Sequence, residues 1–211
     1  MHTAPLTEPS DVRAEPGLVR WAIVAAGAVA LGVATSFGQT YLPDQLRSLA
    51  NSATPWTVAA FALSLVPRRP LRAACVAGLS LVGLVVGYEL ASRIRLDVGL
   101  SGSWRLFWTV CALVVGPVVG YLGALARARS EPARVLLVGG LSGLAIGEGV
   151  HGLVELSATT SSVYWWISVG AGAAGLVWFG WVRRTVGLAA ATTGVAAVAA
   201  LAFTVVYSRI L

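Results

Sequence analysis

The amino-acid sequence predicts an all-α fold, a polytopic membrane helical bundle of about seven transmembrane helices with the amino terminus inside and the carboxy terminus outside. Of its 211 residues, 57% are hydrophobic and only 11% charged, whereas soluble domains average roughly 25% charged. Several apolar runs exceed the ~18 residues that mark a bilayer span, and the mean hydropathy is +0.79. The arginines gather in the short stretches between those runs.

A net charge of +6 would point a soluble chain toward nucleic acid. With the basic residues at helix ends, membrane topology accounts for the charge, and no nucleic-acid partner is expected. Cys75 and Cys111 fall inside apolar runs without redox or zinc spacing, which is the pattern of inert packing residues. Residues 1–17 are polar and contain proline, and read as a disordered cytoplasmic tail. Residues 18–207 read as one transmembrane domain. The tail lacks the basic start and cleavage pattern of a signal peptide, so the first apolar run is expected to stay in the mature protein.

The first span covers residues 18–37, between Pro16-Gly17 and Gly38. The second is short: its apolar part, residues 56–66, has 11 residues, too few to cross ~30 Å at about 1.5 Å each. To span, it must recruit residues 46–55, with Arg47, Ser48, Asn51, Ser52 and Thr54. Two readings stay open there, a short tilted helix after an interfacial loop or non-helical backbone shielded by other helices. Interrupted spans of this kind point to binding sites in transporters.

The third span, residues 71–91, follows the turn at Pro67-Arg68-Arg69-Pro70, and the fourth, residues 104–126, carries Pro117 near its middle. Proline removes a backbone donor there, so a kink is expected. The fifth covers residues 134–156, the sixth 162–182 and the seventh 186–206. With the amino terminus inside, ten arginines face the cytoplasm: Arg13, Arg20, Arg68, Arg69, Arg72, Arg127, Arg129, Arg134, Arg183 and Arg184. Five face outward, Arg47, Arg93, Arg95, Arg105 and Arg209. That asymmetry sets the orientation.

The fifth span organises the rest. Gly139, Gly143, Gly147, His151 and Glu155 follow one another at i+4 and form one helical stripe. Its glycines allow close approach of a neighbouring helix. Its polar end, with Glu148 alongside, sits where ionisable groups are costly unless they face a bundle interior or a wet cavity. Glu148 lies 14 residues beyond Arg134, roughly 21 Å along the helix and in its outer third. Glu89, Asn51, Ser52 and Thr54 fall at the same outer level, as do Trp56, Trp104, Trp108, Tyr164, Trp165 and Trp166. The inner half of the spans holds almost no ionisable residue. A polar pocket is therefore expected on the extracytoplasmic side.

Bland readings stand beside these. Glu89 and Arg93, at i and i+4, suit a simple ion pair. The aromatic residues suit an interfacial belt, and Glu155 can reach the headgroups. Glu148 and His151, at i and i+3, are placed to hydrogen-bond each other. Their spacing also matches the ligand pair of di-iron bundles, but the chain has only His2 and His151, so no metal site and no cofactor are expected. No nucleophile with an evident base is present, and an enzyme is not expected. Gly83-Leu84-Val85-Val86-Gly87 echoes Gly143-Leu144-Ala145-Ile146-Gly147, either as an internal repeat or by chance among glycine-rich helices.

Ala22, Ala26, Ala30 and Ala34 form a small-residue stripe on the first helix, suited to close packing within the chain or to a partner helix. This stripe resembles the substrate-binding subunits of energy-coupling-factor vitamin transporters. Those use an AxxxA pattern on their first helix to dock a membrane partner and bind vitamins from outside, but usually have six spans. A second set of features is similar to a family of small uncharacterised multi-pass membrane proteins of high-GC Gram-positive bacteria. It comprises Leu49-Ala50-Asn51-Ser52-Ala53-Thr54-Pro55-Trp56, Gly87-Tyr88, Gly116-Pro117-x-x-Gly120 and Gly147-Glu148. That likeness, over about residues 20–182, implies fold and location alone; Glu89 stands where a second aromatic residue is expected.

The expectation is thus a multi-pass plasma-membrane protein whose partners are the lipid bilayer and a small solute, bound or transported at Asn51, Glu89, Glu148 and His151. Proton coupling through Glu148 is one option. The alternative is a non-transporting scaffold that holds another membrane protein through Ala22, Ala26, Ala30 and Ala34.

Overall fold

The computed structural model describes residues 18–97 and 102–209, so the expected tail at residues 1–17 lies outside them. Eight α-helices make up the described chain: α1 (Leu18–Tyr41), α2 (Asp44–Arg47), α3 (Ala53–Leu63), α4 (Pro70–Leu96), α5 (Gly102–Arg127), α6 (Glu131–His151), α7 (Ser162–Arg183) and α8 (Val186–Ser208). A 3₁₀ turn, Ser48–Asn51, joins α2 to α3, and a π turn, Gly152–Leu156, extends α6. Prolines open α4 and α6, where the missing N–H has no intrahelical acceptor to lose. The Ser130 hydroxyl caps α6 by accepting from the Ala133 N–H. Pro117 lies inside α5, which continues through it to Arg127.

Six helices, α1 and α4 to α8, are long and apolar enough to cross a membrane; α3, with 11 residues, is too short. The chain nevertheless traverses the bundle seven times. Helices α1 and α4 run parallel: Gly32 packs on Leu84 and Gly87 on Val29. Further along both helices the Ser36 and Ser92 hydroxyls meet at 2.9 Å, and Arg95 donates to Ser36 O and Thr40 Oγ1. Two parallel neighbours require a return between them. The return is made by α2, the 3₁₀ turn and α3 in series, so the second span is helical but broken at Ser52. Arg127 on α5 secures its far end by donating to the Leu65 and Pro67 carbonyls.

The bundle has two centres. Helix α4 packs against α1 and α5, helix α6 packs against α7 and α8, and α3 lies at the seam against α4, α5 and α6. The glycine stripe of α6 behaves as its spacing predicts: Gly139, Gly143 and Gly147 seat the backbone of α8 at Thr192, Ala196 and Ala200. The echoing segment of α4 seats α1 instead, through Gly83 on Ala28 and Gly87 on Val29. In one half the parallel partner precedes the glycine helix and in the other it follows. The connectivity is therefore not that of a tandem repeat.

The alanine stripe of α1 is turned outward. Ala22, Ala26, Ala30 and Ala34 are all exposed, while Ala28, Gly32 and Ser36 form the buried face. The small residues that matter for packing within the chain are thus a different set from those the spacing picks out. Exposed aliphatic side chains such as Leu79, Leu113, Val114, Val177 and Leu201 form the surface that meets lipid tails.

Candidate functional site

The broken span creates the site. A helix that starts inside a bundle leaves its first N–H groups without partners, and burying them unpaired is costly. Helix α3 begins at Ala53, and its N-cap residue Ser52 makes no side-chain cap; the Ser52 hydroxyl donates to Ser48 O instead. The cap comes from another helix. Glu148 of α6 accepts from the Ala53 N–H through Oε1 at 2.5 Å and from the Thr54 N–H through Oε2 at 2.9 Å. The next residue is Pro55, which has no N–H to satisfy. One carboxylate and one proline therefore settle three of the four orphan positions, and the charge sits at the favourable end of the α3 dipole.

Glu148 is only 6% exposed, and among the described residues no arginine forms an ion pair with it. The hydrogen bond expected between Glu148 and His151 does not form. Both Glu148 oxygens point to α3, whereas His151 points to α8, its ring 4.8 Å from the Tyr207 ring and 6.2 Å from that of Phe203. His151 is likewise 6% exposed, and its Nε2 has no hydrogen-bond partner.

Between these elements lies a polar cavity of about 710 Å³. Glu148 and His151 form its wall on α6, with Asn51 and Ser48 from the 3₁₀ turn. Gln39, Asp44 and Arg47 from one part of the chain and Thr159, Thr160 and Ser161 from another also line it, and Trp165, Phe203 and Tyr207 supply aromatic side chains. The π turn shapes this wall. The Leu156 carbonyl at its end accepts from the Thr160 hydroxyl, whose Oγ1 in turn accepts from Trp165 Nε1 at 2.9 Å. Gly152 lies directly against the Trp165 ring, where any side chain would collide.

Of the four ligand-binding residues expected from sequence, the structure brings Asn51, Glu148 and His151 together and leaves Glu89 apart. Glu89 Oε1 pairs with Arg93 Nε at 2.6 Å and lies 3.6 Å from Arg105 Nη1. It joins the last turns of α4 to the first turn of α5 and does not line the cavity. Glu155 is exposed, as a residue reaching the headgroup region would be. Tyr164 and Trp165 are buried while Trp166 is exposed, so this aromatic trio is partly packing and partly belt.

The residues that sequence reasoning missed, Thr160, Phe203 and Tyr207 among them, come from the loop before α7 and from α8. Only the serine and threonine run at residues 157–162 carried a readable polar signal. A second cavity, of about 460 Å³, is almost wholly apolar and runs between α5 and the α6–α8 pair. Phe203 and Tyr207 line both cavities.

Fold and site together define a multi-pass helical membrane protein with a polar cavity at one end of the bundle, beside a broken span. The chain belongs to DUF6518, a family of unknown function whose model matches residues 12–211. Comparison with curated proteins and with solved structures gave no match.

Proposed function

We propose that this protein binds a small solute in the cavity bounded by the 3₁₀ turn, α6 and α8, as the first step of carrying it across the plasma membrane. The observation that carries this reading is the His151 Nε2, buried and unpartnered in the cavity wall. Buried polar groups in native proteins are nearly always satisfied, so an imidazole left unpaired in the wall of a polar cavity supports a ligand-binding role for that wall. The arginine count, ten against five, turns the cavity toward the extracytoplasmic side. A broken helix whose end meets the cavity also suits transport, since discontinuous helices frame solute sites in transporters. In this reading Glu148 holds α3 in place. A proton added to a free lone pair of either oxygen would weaken its bond from α3 without displacing the N–H, so proton coupling would act by loosening the hold on α3.

The test is thermal stabilisation of the purified protein by a panel of small polar solutes, in wild type and in His151→Phe. A true ligand at a hundred times its dissociation constant stabilises by about 2.7 kcal/mol, and His151→Phe is expected to remove most of that gain. The reading fails if no solute stabilises wild type, or if every stabilising solute acts equally on the variant.

A second reading is favoured by one observation, the outward placement of Ala22, Ala26, Ala30 and Ala34. A small-residue face left unused within the chain fits a partner helix. Ala26→Leu with Ala30→Leu is then expected to abolish co-purification of a membrane partner while leaving solute stabilisation unaltered. A protein that purifies alone with either sequence removes the scaffold reading.

A further inference from the structure

Resting on the solute-binding reading above, we infer that the ligand is a small organic cation, an ammonium group held in the cavity that Glu148, His151 and the Tyr207 and Phe203 rings line. Charge distribution is the first argument. Asp44 and Arg47 pair with each other at 2.6 Å and cancel. Glu148 is then the one remaining formal charge in the lining, buried without a basic partner among the described residues. The helix terminus it caps offers roughly half a positive charge, so the carboxylate is only partly balanced. Each carboxylate oxygen can accept a second hydrogen bond, and an ammonium donor in the cavity would complete the balance. The other arginines at this end of the bundle are directed elsewhere. Arg93 and Arg105 serve Glu89, Arg95 serves Ser36 and Thr40, and Arg209 is exposed and outside the lining.

The second argument is the shape and chemistry of the remaining wall. Aromatic faces attract cations through their quadrupole. Phe203 and Tyr207 stack with centroids 5.2 Å apart, and both border the cavity beside His151. The carbonyl end of α6 also lies here, and a helix carboxy terminus favours positive charge. A bare metal ion suits the site poorly. Such ions take several anionic or oxygen ligands, and no group of three or more His, Cys, Asp or Glu converges among the described residues. A cavity of about 710 Å³ has room for an organic body.

Three probes of nearly equal shape and different charge test this on the full chain in detergent: tetramethylammonium, neopentyl alcohol and pivalate, with n-butylammonium as a hydrogen-bonding cation. The cations are expected to raise the melting temperature and to compete with each other, while pivalate has no effect. Tyr207→Leu, which keeps bulk and removes the ring, is expected to weaken cation binding about five- to thirtyfold. Glu148→Gln is expected to weaken it further, and the Tyr207 variant stands alone if that protein does not fold. Stabilisation by pivalate or neopentyl alcohol that depends on His151, with none by the cations, would overturn the cation assignment and leave solute binding intact. Equal stabilisation by sodium or magnesium would also overturn it. No response to any probe or to the broader solute panel would remove both readings.

Discussion

Replacing Glu148 with alanine is expected to lower the melting temperature of the purified protein by about 5–15 °C, from a loss of about 2–4 kcal/mol at about 2–4 °C per kcal/mol for a chain of this size. The estimate follows from what the side chain holds. Its two oxygens accept the Ala53 and Thr54 N–H groups, at 2.5 and 2.9 Å, and hydrogen bonds to a charged group contribute about 1.5–3 kcal/mol each. Two effects reduce the net loss. Removing a buried charge recovers part of its desolvation cost, and water from the adjoining cavity can reach the freed donors. Glu148→Gln keeps one carbonyl acceptor but turns its NH2 toward the other α3 donor, so it should lose about as much as Glu148→Ala, while Glu148→Asp falls short of one donor. The damage should be local, with amide hydrogen exchange rising over α3 and unaltered in α4 and α6. A shift below about 2 °C, with α3 exchange unchanged, would mean that cavity water caps this helix as well as the carboxylate does.

How much of this could be read in the chain depends on how far apart the partners lie. The order of spans rests on the lengths of the apolar runs, and the ion pair of Glu89 with Arg93 and the glycine face of α6 rest on spacings of four residues, which helical geometry converts directly into neighbours. The cap on α3 was not legible in that way. Ser52-Ala53-Thr54-Pro55 has the composition of a helix start, but its acceptor is 95 residues away from Ala53. Local spacing set Glu89 apart through Arg93 and Glu155 apart by its position further out, but it gave no sign that Glu148 reaches α3. Periodicity gave Glu148 and His151 a common level on one helix but could not give the direction of their side chains. One turns to α3 and the other to α8, so the cavity between them is built from segments with no sequence relation to each other. The alanine stripe of α1 shows the opposite error. Its spacing is regular, yet α4 packs on the neighbouring face through Ala28 and Gly32, because that is where Gly83 and Gly87 meet α1.

Gly143 and Gly140, three residues apart on α6, are expected to respond to the same substitution with opposite sign. A Cβ on Gly143 would lie 2.7 Å from the Ala196 Cα and closer still to the Ala196 carbonyl oxygen, both backbone atoms of α8. Backbone cannot move aside as a side-chain end can, so Gly143→Ala must push the two helices apart along the seam that Gly139 and Gly147 also form. Overpacking of this kind costs about 1–3 kcal/mol, and Gly143→Leu should leave no folded protein in detergent. At Gly140 nothing stands within 4 Å of the added atom. There Gly140→Ala removes backbone freedom from the unfolded chain and should stabilise by about 0.4–1 kcal/mol. Thermal unfolding of both variants beside wild type decides the matter. The Gly143 seam also positions the site, because His151 lies two turns further along the stripe and faces Phe203 and Tyr207 of the same α8. A Gly143→Ala protein that still folds should therefore bind the cationic probes more weakly, while Gly140→Ala binds them as wild type does. Equal melting temperatures for the two variants would contradict the close approach of α6 and α8 on which the cavity wall depends.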